Sequence, residues 1–170
     1  MTARRTVVAF VVALVVAVPA AFGHPGAVRV RSLDAQVLVR LNAIRTAHGL
    51  VPLRPNATLA AAAAGHSEQM LADGYFAHES ADGTPFSRRL TGYSAGTRAW
   101  SAGENLLWSS PGVTASRALA LWMASPGHRA NILDARWREI GIASIHANSA
   151  PGTFGNRPVT VITTDFGFRR

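Results

Sequence analysis

Residues 139–168, EIGIASIHANSAPGTFGNRPVTVITTDFGF, decide how this chain is put together. Glu139 to His146 and Val159 to Phe168 are rich in β-branched and aromatic residues in an alternating arrangement, the pattern of strands that each bury one face. Between them, Asn148 to Pro158 gathers Gly, Pro, Asn and Ser, the residues of turns. The reading is an antiparallel hairpin at the end of the chain.

Working outward from that hairpin, the preceding segments carry helical periodicity. Ser32 opens a helix with apolar Leu33, Val37, Leu41 and Ile44, and Gly49 ends it. Pro52 and Pro55 mark a loop, after which Asn56 caps a second helix that runs through an alanine run, His66 and Met70 to Gly74. Asn56-Ala57-Thr58 also fits a glycosylation sequon, but capping accounts for the asparagine. Thr84-Pro85 is placed as the cap and first residue of a short helix ending at Gly92, and Ser110-Pro111 as the start of a helix carrying Ala118, Leu121 and Trp122. Ser125-Pro126 repeats the signal, making Ser125 an N-cap and His128 the third residue of a further helix. Helices first and strands last imply an α+β layered domain with helices packed on a small antiparallel sheet. Its core is expected to draw on Trp122, Ile140, Ile142, Ile162 and Phe166. The 170 residues suit one such domain, and no internal repeat points to a solenoid.

The other end of the chain reads as an address. Arg4 and Arg5 precede an uncharged apolar run from Val7 to Val18, too short for the roughly 20 residues of a membrane span. Ala21-Phe22-Gly23 offers small residues at the positions a signal peptidase reads, which gives a signal peptide at 1–23, a linker at 24–31 and a domain at 32–170. Ala20 is an alternative last leader residue, and an uncleaved anchor is the competing reading. The expected product is secreted, extracellular or associated with the cell envelope, with no transmembrane segment after cleavage. Cysteine is absent, which excludes disulfides, cysteine-linked lipid and thiolate metal sites. All 17 basic residues are arginine against 9 acids. Outside a cell that excess favours anionic envelope polymers or lipid head groups over nucleic acid, although arginine-rich solubility explains it equally well.

Several short motifs fall in a characteristic order. Asn42 and Arg45 lie in the first helix, His66, Ser67 and Met70 in the second, and Tyr75-Phe76-Ala77-His78 follows. Then come Gly103-Glu104-Asn105, Trp122, Ser125-Pro126-Gly127-His128-Arg129 and Ile140-Gly141. In this order the chain resembles the CAP superfamily, also called the SCP, cysteine-rich secretory protein or pathogenesis-related-1 domain, and looks closest to its cysteine-free bacterial branch. The resemblance spans Asp34 to Phe168 and implies an α+β fold, an α-β-α layered sandwich with helices packed around a small antiparallel sheet. It implies a cleft lined by two His and two Glu, a tetrad whose His pair binds a divalent metal in some relatives. Carried over by position, the tetrad gives His78, Glu104 and His128, while the second Glu is replaced by Ser125. The family's Gly-His-Tyr-Thr-Gln pattern is likewise replaced by Gly127-His128-Arg129-Ala130-Asn131. Both departures weaken any transfer of tetrad chemistry.

Three roles remain open for this constellation. His78 and His128 can act as metal ligands for Zn²⁺ or another divalent ion, helped by the helix N-terminus, which lowers the pKa of His128 and keeps its imidazole neutral. Glu104 is then the candidate base toward a metal-bound water, giving a hydrolase of peptide or envelope material. Alternatively His78, Glu104, Ser125 and His128 line a cleft for a lipid-like or envelope-derived ligand. In the third reading Glu104 hydrogen-bonds a histidine and ties loops together in a structural envelope protein. Ser125 is expected to spend its hydroxyl on helix capping. Gly92-Tyr93-Ser94-Ala95-Gly96 fits a nucleophile-elbow pattern but lacks the apolar strand that must precede the serine. His66 can face the cleft or pack, and His24, His48 and His146 carry no site signal. Among the tryptophans, Trp122 reads as core and Trp108 as the better rim candidate, although packing is the role favoured for it.

Overall fold

Alternation along the last third of the chain produces a two-sided sheet. The computed structural model describes residues 26–170, so the leader and its cleavage point lie outside the described residues. In chain order the elements are β1 (Val28–Arg29), α1 (Arg31–Ala47), β2 (Arg54–Pro55), α2 (Ala57–Asp73), α3 (Thr91–Ser94), β3 (Trp100–Ser109), α4 (Ala115–Ala124), α5 (Pro126–Leu133), β4 (Glu139–Ala150) and β5 (Arg157–Arg169). β4 and β5 form the expected antiparallel hairpin, and both run longer than expected because pairing resumes past a bulge between Ala147 and Ala150. The strand order is β1-β4-β5-β3, with the two-residue β2 joining β4 in parallel.

Side chains of β4 and β5 alternate between two helical layers, so the fold is the expected α-β-α sandwich. On one face Leu33, Val37 and Leu41 of α1, Leu119 and Trp122 of α4 and Ile132 of α5 pack on Ile140, Ile142, Ile162 and Phe166. All five residues expected in the core are in this cluster. On the other face α2 lays Met70 and Leu71 over Leu106, Ile145, Val159 and Val161, while Leu59 packs with Leu90 and Tyr93. The helix lies so close to the sheet that a Cβ on Gly141 would collide with the backbone of Leu59 and Ala60.

Local chemistry explains the boundaries of α2. The Asn56 side chain accepts from the N–H groups of Thr58 and Leu59, and Gly74 closes the helix in the left-handed conformation. The two polar markers of α1 also serve the fold. Asn42 exchanges hydrogen bonds with the backbone of Leu53 (3.0 and 2.8 Å), and fully buried Arg45 donates to the carbonyls of Val51, Ile132 and Asp134.

Other boundaries differ from the sequence reading, each for a local reason. The segment read as a linker supplies β1, whose backbone groups pair with β4, and α1 begins at Arg31, with Val30 rather than a polar side chain at its cap position. Ser110-Pro111 begins no helix: the chain turns there, with a cis peptide bond and a Ser109 hydroxyl bond to the Gly112 carbonyl, and Thr114 caps α4. Thr84 is not a cap either. Pro85 precedes a 3₁₀ turn at Phe86–Leu90 that continues into α3 past Gly92, because buried Leu90 and Tyr93 fasten this stretch to Leu59. The stretch around Gly103-Glu104-Asn105 is the ten-residue strand β3, paired with β5 along its whole length.

Candidate functional site

β3 pairs only with β5, which leaves Glu104 and Asn105 on an edge strand with side chains on opposite faces. Gly103 is small for a visible reason: a Cβ there would come within 3.0 Å of the Asn131 and Trp137 side chains, where α5 and the segment after it press against the strand. Asn105 donates to the His128 carbonyl (3.0 Å), and Asn131 donates to the Glu104 carbonyl (3.1 Å) and to Asn105 Oδ1 (2.9 Å). These bonds bring the His128 helix to the strand that carries Glu104.

Glu104 points toward the α2 layer and is 5% exposed. Its Oε1 lies 2.7 Å from His78 Nδ1, and its Oε2 accepts from Arg89 Nη2 at 2.7 Å. The ion pair with Arg89 satisfies the charge that burial would otherwise penalise. His78 keeps half of its side chain in solvent. The Glu104 hydrogen bond raises the pKa of His78, outweighing the opposing effect of partial burial.

His66 sits behind His78, 1% exposed, with Nε2 2.9 Å from the Ala77 carbonyl and its ring 6.1 Å from Tyr75. Burial lowers its pKa and its Nδ1 has no partner among the described residues. It therefore holds the His78 loop in place from behind. Asp165 is the direct cross-strand partner of Glu104 and is 1% exposed. Burial first, and the charge of Glu104 second, push its carboxyl well above the usual range. Ser67 and Thr163 continue this polar row with a hydroxyl pair at 2.8 Å.

His128 is the third residue of α5, as expected, and is half-buried. Its pKa is lowered as expected, but through burial and then the charge of His78 rather than through the helix terminus. Ser125 is the residue between α4 and α5, its backbone N–H donating to the Trp122 carbonyl, and its hydroxyl makes no capping bond, contrary to expectation. The serine of the elbow-like pattern, Ser94, returns its hydroxyl to the Thr91 carbonyl on a short helix.

Glu104 thus bonds His78 directly, α5 with His128 is tied to the same strand through Asn105 and Asn131, and Arg89, His66 and Asp165 lie around the carboxylate. Arg89 stood in a segment without an obvious motif. His66 was ambiguous by position. Asp165 had a signal: it is the lone acid within an otherwise apolar and threonine-rich strand. Trp108 takes the packing role that the sequence favours for it over the rim, edge-on against Phe154 at 5.5 Å, and the exposed indole among the described residues is that of Trp100.

The family described as the cysteine-rich secretory protein family, CAP, matches residues 38–162. The chain belongs to this family. It is 33% identical over 121 residues to the uncharacterized protein YkwD of Bacillus subtilis, a match covering 71% of this chain and 45% of that one. A second relative, the uncharacterized membrane protein YlbC of the same organism, is 32% identical over 109 residues, covering 64% and 30%. The CAP chain therefore spans less than half the length of these curated relatives. Among solved structures, an extracellular protein containing an SCP domain from Bacillus anthracis superposes with a TM-score of 0.62 at 27% identity, covering 80% of this chain and 40% of that one. An outer surface protein from Borrelia burgdorferi shares the fold, with a TM-score of 0.69 at 18% identity over 87% of this chain and 99% of that one.

The family resemblance raises a metal, and the donors of this CAP domain can be weighed against one. Among the described residues no three His, Cys, Asp or Glu side chains are placed to hold an ion. Both Glu104 oxygens are already committed, which leaves two imidazoles, short of the three side chains of a catalytic zinc centre.

Proposed function

We propose that this CAP domain is an extracellular binding module whose His78–Glu104–His128 cleft accepts a lipid-like or envelope-derived ligand. One observation carries the reading: both oxygens of Glu104 are engaged, by His78 and Arg89, so the carboxylate serves as the floor of the cleft rather than as a free base. The two imidazoles are then the groups left to meet a ligand's polar end, His78 as a donor at mildly acidic pH and His128 as a neutral ring. The apolar leader and the extracellular SCP-domain relative support export. Among the described residues no helix is long and apolar enough to cross a membrane.

The test is calorimetric titration of the purified chain with a lysophospholipid, beside the His78→Ala/His128→Ala variant. Saturable binding that disappears in the variant supports the module. Binding that survives the double change, or no binding by either protein, overturns this cleft as the lipid site.

A metal-assisted hydrolase is the second reading, and a specific contact favours it. Glu104 on Nδ1 of His78 fixes the tautomer that leaves Nε2 available, the arrangement carboxylates impose on metal-binding histidines. Zn²⁺ titration near neutral pH reads this directly: saturable uptake lost on replacing both histidines supports a metal site, and none in the unaltered chain removes it. Should a hydrolytic activity be found, its survival in Glu104→Gln excludes Glu104 as the base.

A further inference from the structure

At the start of β3, four residues from Glu104 and thus about 13 Å along the strand, lies a second recess. It is a cavity of about 490 Å³ lined by Trp100, Ser101, Arg136, Arg138, Phe168 and Arg170. We propose that this cavity binds an anionic sugar polymer, with a sugar ring on the Trp100 indole and its phosphate or carboxylate groups on the arginine forks. The site is separate from the His78–Glu104–His128 cleft and does not depend on that cleft's ligand.

Charge is the first support. Of the three arginines that line the recess, Arg136 is paired with Asp134, while Arg138 and Arg170, like most arginines of the chain, have no side-chain carboxylate within ion-pair distance among the described residues. Behind the recess, Arg45 is fully buried with only backbone carbonyls as partners, and the charge of Arg138 acts on it. The nearby acid, Asp134, is already engaged by Arg136 through both carboxylate oxygens (3.1 and 3.0 Å from Nε). The corner therefore carries positive charge that the fold leaves unbalanced, and guanidinium forks match phosphate and carboxylate two oxygens at a time.

Preorganisation is the second. Arg138 Nη1 is held by the carbonyls of Ala135 (2.7 Å) and Trp137 (2.8 Å), and the Arg136 guanidinium lies 5.1 Å over the Trp137 ring. These contacts fix two guanidiniums while leaving further N–H groups of each uncommitted, which reduces the ordering a ligand must impose. The third support is the lone platform. Trp100 is 37% exposed at the mouth of the recess, beside half-buried Phe168. A single open indole suits one sugar ring, whereas single-stranded nucleic acid is held by several rings on which successive bases stack.

The purified chain is titrated at low salt with a glycerol-phosphate oligomer, an oligogalacturonate and a neutral maltooligosaccharide of equal length, followed by calorimetry and tryptophan fluorescence. At least one anionic oligomer is expected to bind about tenfold or more tighter than the neutral one and to weaken as salt rises; which one identifies phosphate or carboxylate as the anion. Trp100→Ala combined with Arg170→Gln removes side chains with no hydrogen bond within the fold, so thermal melting should hold while affinity falls about tenfold. Arg138→Gln should weaken binding further, and His78→Ala/His128→Ala should leave it intact. Equal binding of the neutral oligomer, or an unaltered affinity in the Trp100/Arg170 variant, overturns the proposal. A single-stranded oligonucleotide binding more tightly than either glycan does so too, and reassigns the recess to nucleic acid.

Discussion

The two faces of the sheet are closed by different chemistry. Under α1, α4 and α5 the sheet presents Ile140, Ile142, Ile162 and Phe166 to Trp122 and Ile132, a continuous apolar layer. Under α2 the sheet buries Glu104, Asp165 and Thr163 beside Leu106 and Val161, facing His66 and Ser67 of the helix. Apolar burial needs only shape and volume, whereas every buried polar atom needs a partner or carries a cost. On the α2 side that cost is largely met by Arg89 and the hydroxyl pair, but Asp165 Oδ1 and His66 Nδ1 are left without partners. The α2 side is thus mixed, an apolar cluster around Met70 and Val161 beside a row of buried ionisable groups around Glu104, whereas on the other face the buried charge is that of Arg45, held by backbone carbonyls.

The largest effect expected is on the apolar face. Trp122→Ala removes an indole that is 1% exposed and donates to the Leu106 carbonyl at 3.0 Å. It should cost about 3–5 kcal/mol in urea-induced unfolding. A loss below about 1 kcal/mol would mean that α4 contributes little and that the contrast between the faces is misdrawn.

Next in size is the buried carboxylate of Glu104. Glu104→Gln weakens the bond to Arg89 and removes the charge that His78 and Asp165 feel, for an expected loss of about 2 kcal/mol in the same assay. The pKa of His78, followed by its ring proton signals, should fall toward the ordinary 6.5. No change in His78 titration would show that Glu104 does not hold it in solution.

Asp165→Asn should be nearly neutral at acidic pH, within about 1 kcal/mol, because the native side chain is already uncharged there. Its raised pKa means the folded state binds more protons than the unfolded one. The stability this supplies is full below the unfolded value near 3.8 and is lost as pH rises through the folded value. Unfolding free energies measured from pH 4 upward should therefore decline in the parent chain relative to Asp165→Asn. Parallel profiles would place Asp165 among ordinary ionised carboxylates.

The smallest effect concerns the histidines, and their signs oppose. His78, raised, contributes stability that is present below 6.5 and fades as pH climbs through its folded pKa. His66 and His128, lowered, contribute above 6.5 and fade as pH falls through theirs. Compared with the parent chain, His78→Ala should flatten the alkaline limb and His128→Ala the acidic limb. The reverse assignment would contradict the arrangement around Glu104.

Sequence alone determined the layered α+β fold, the hairpin, both ends of α2 and the five core residues, and motif order singled out His78 and Glu104, which the fold hydrogen-bonds to each other. These are consequences of periodicity, capping and motif order, which act over a few residues or recur at fixed places along the chain. Tertiary structure alone decided that Glu104 stands on an edge strand, that Arg89 and Asp165 flank it, that Ser125 leaves its hydroxyl out of the cap, and that Trp100 rather than Trp108 is the open indole. Glu104 and Asp165 are 61 positions apart and meet only because strand register places them opposite each other. The partners of a buried charge are set by that register, and no local pattern encodes it.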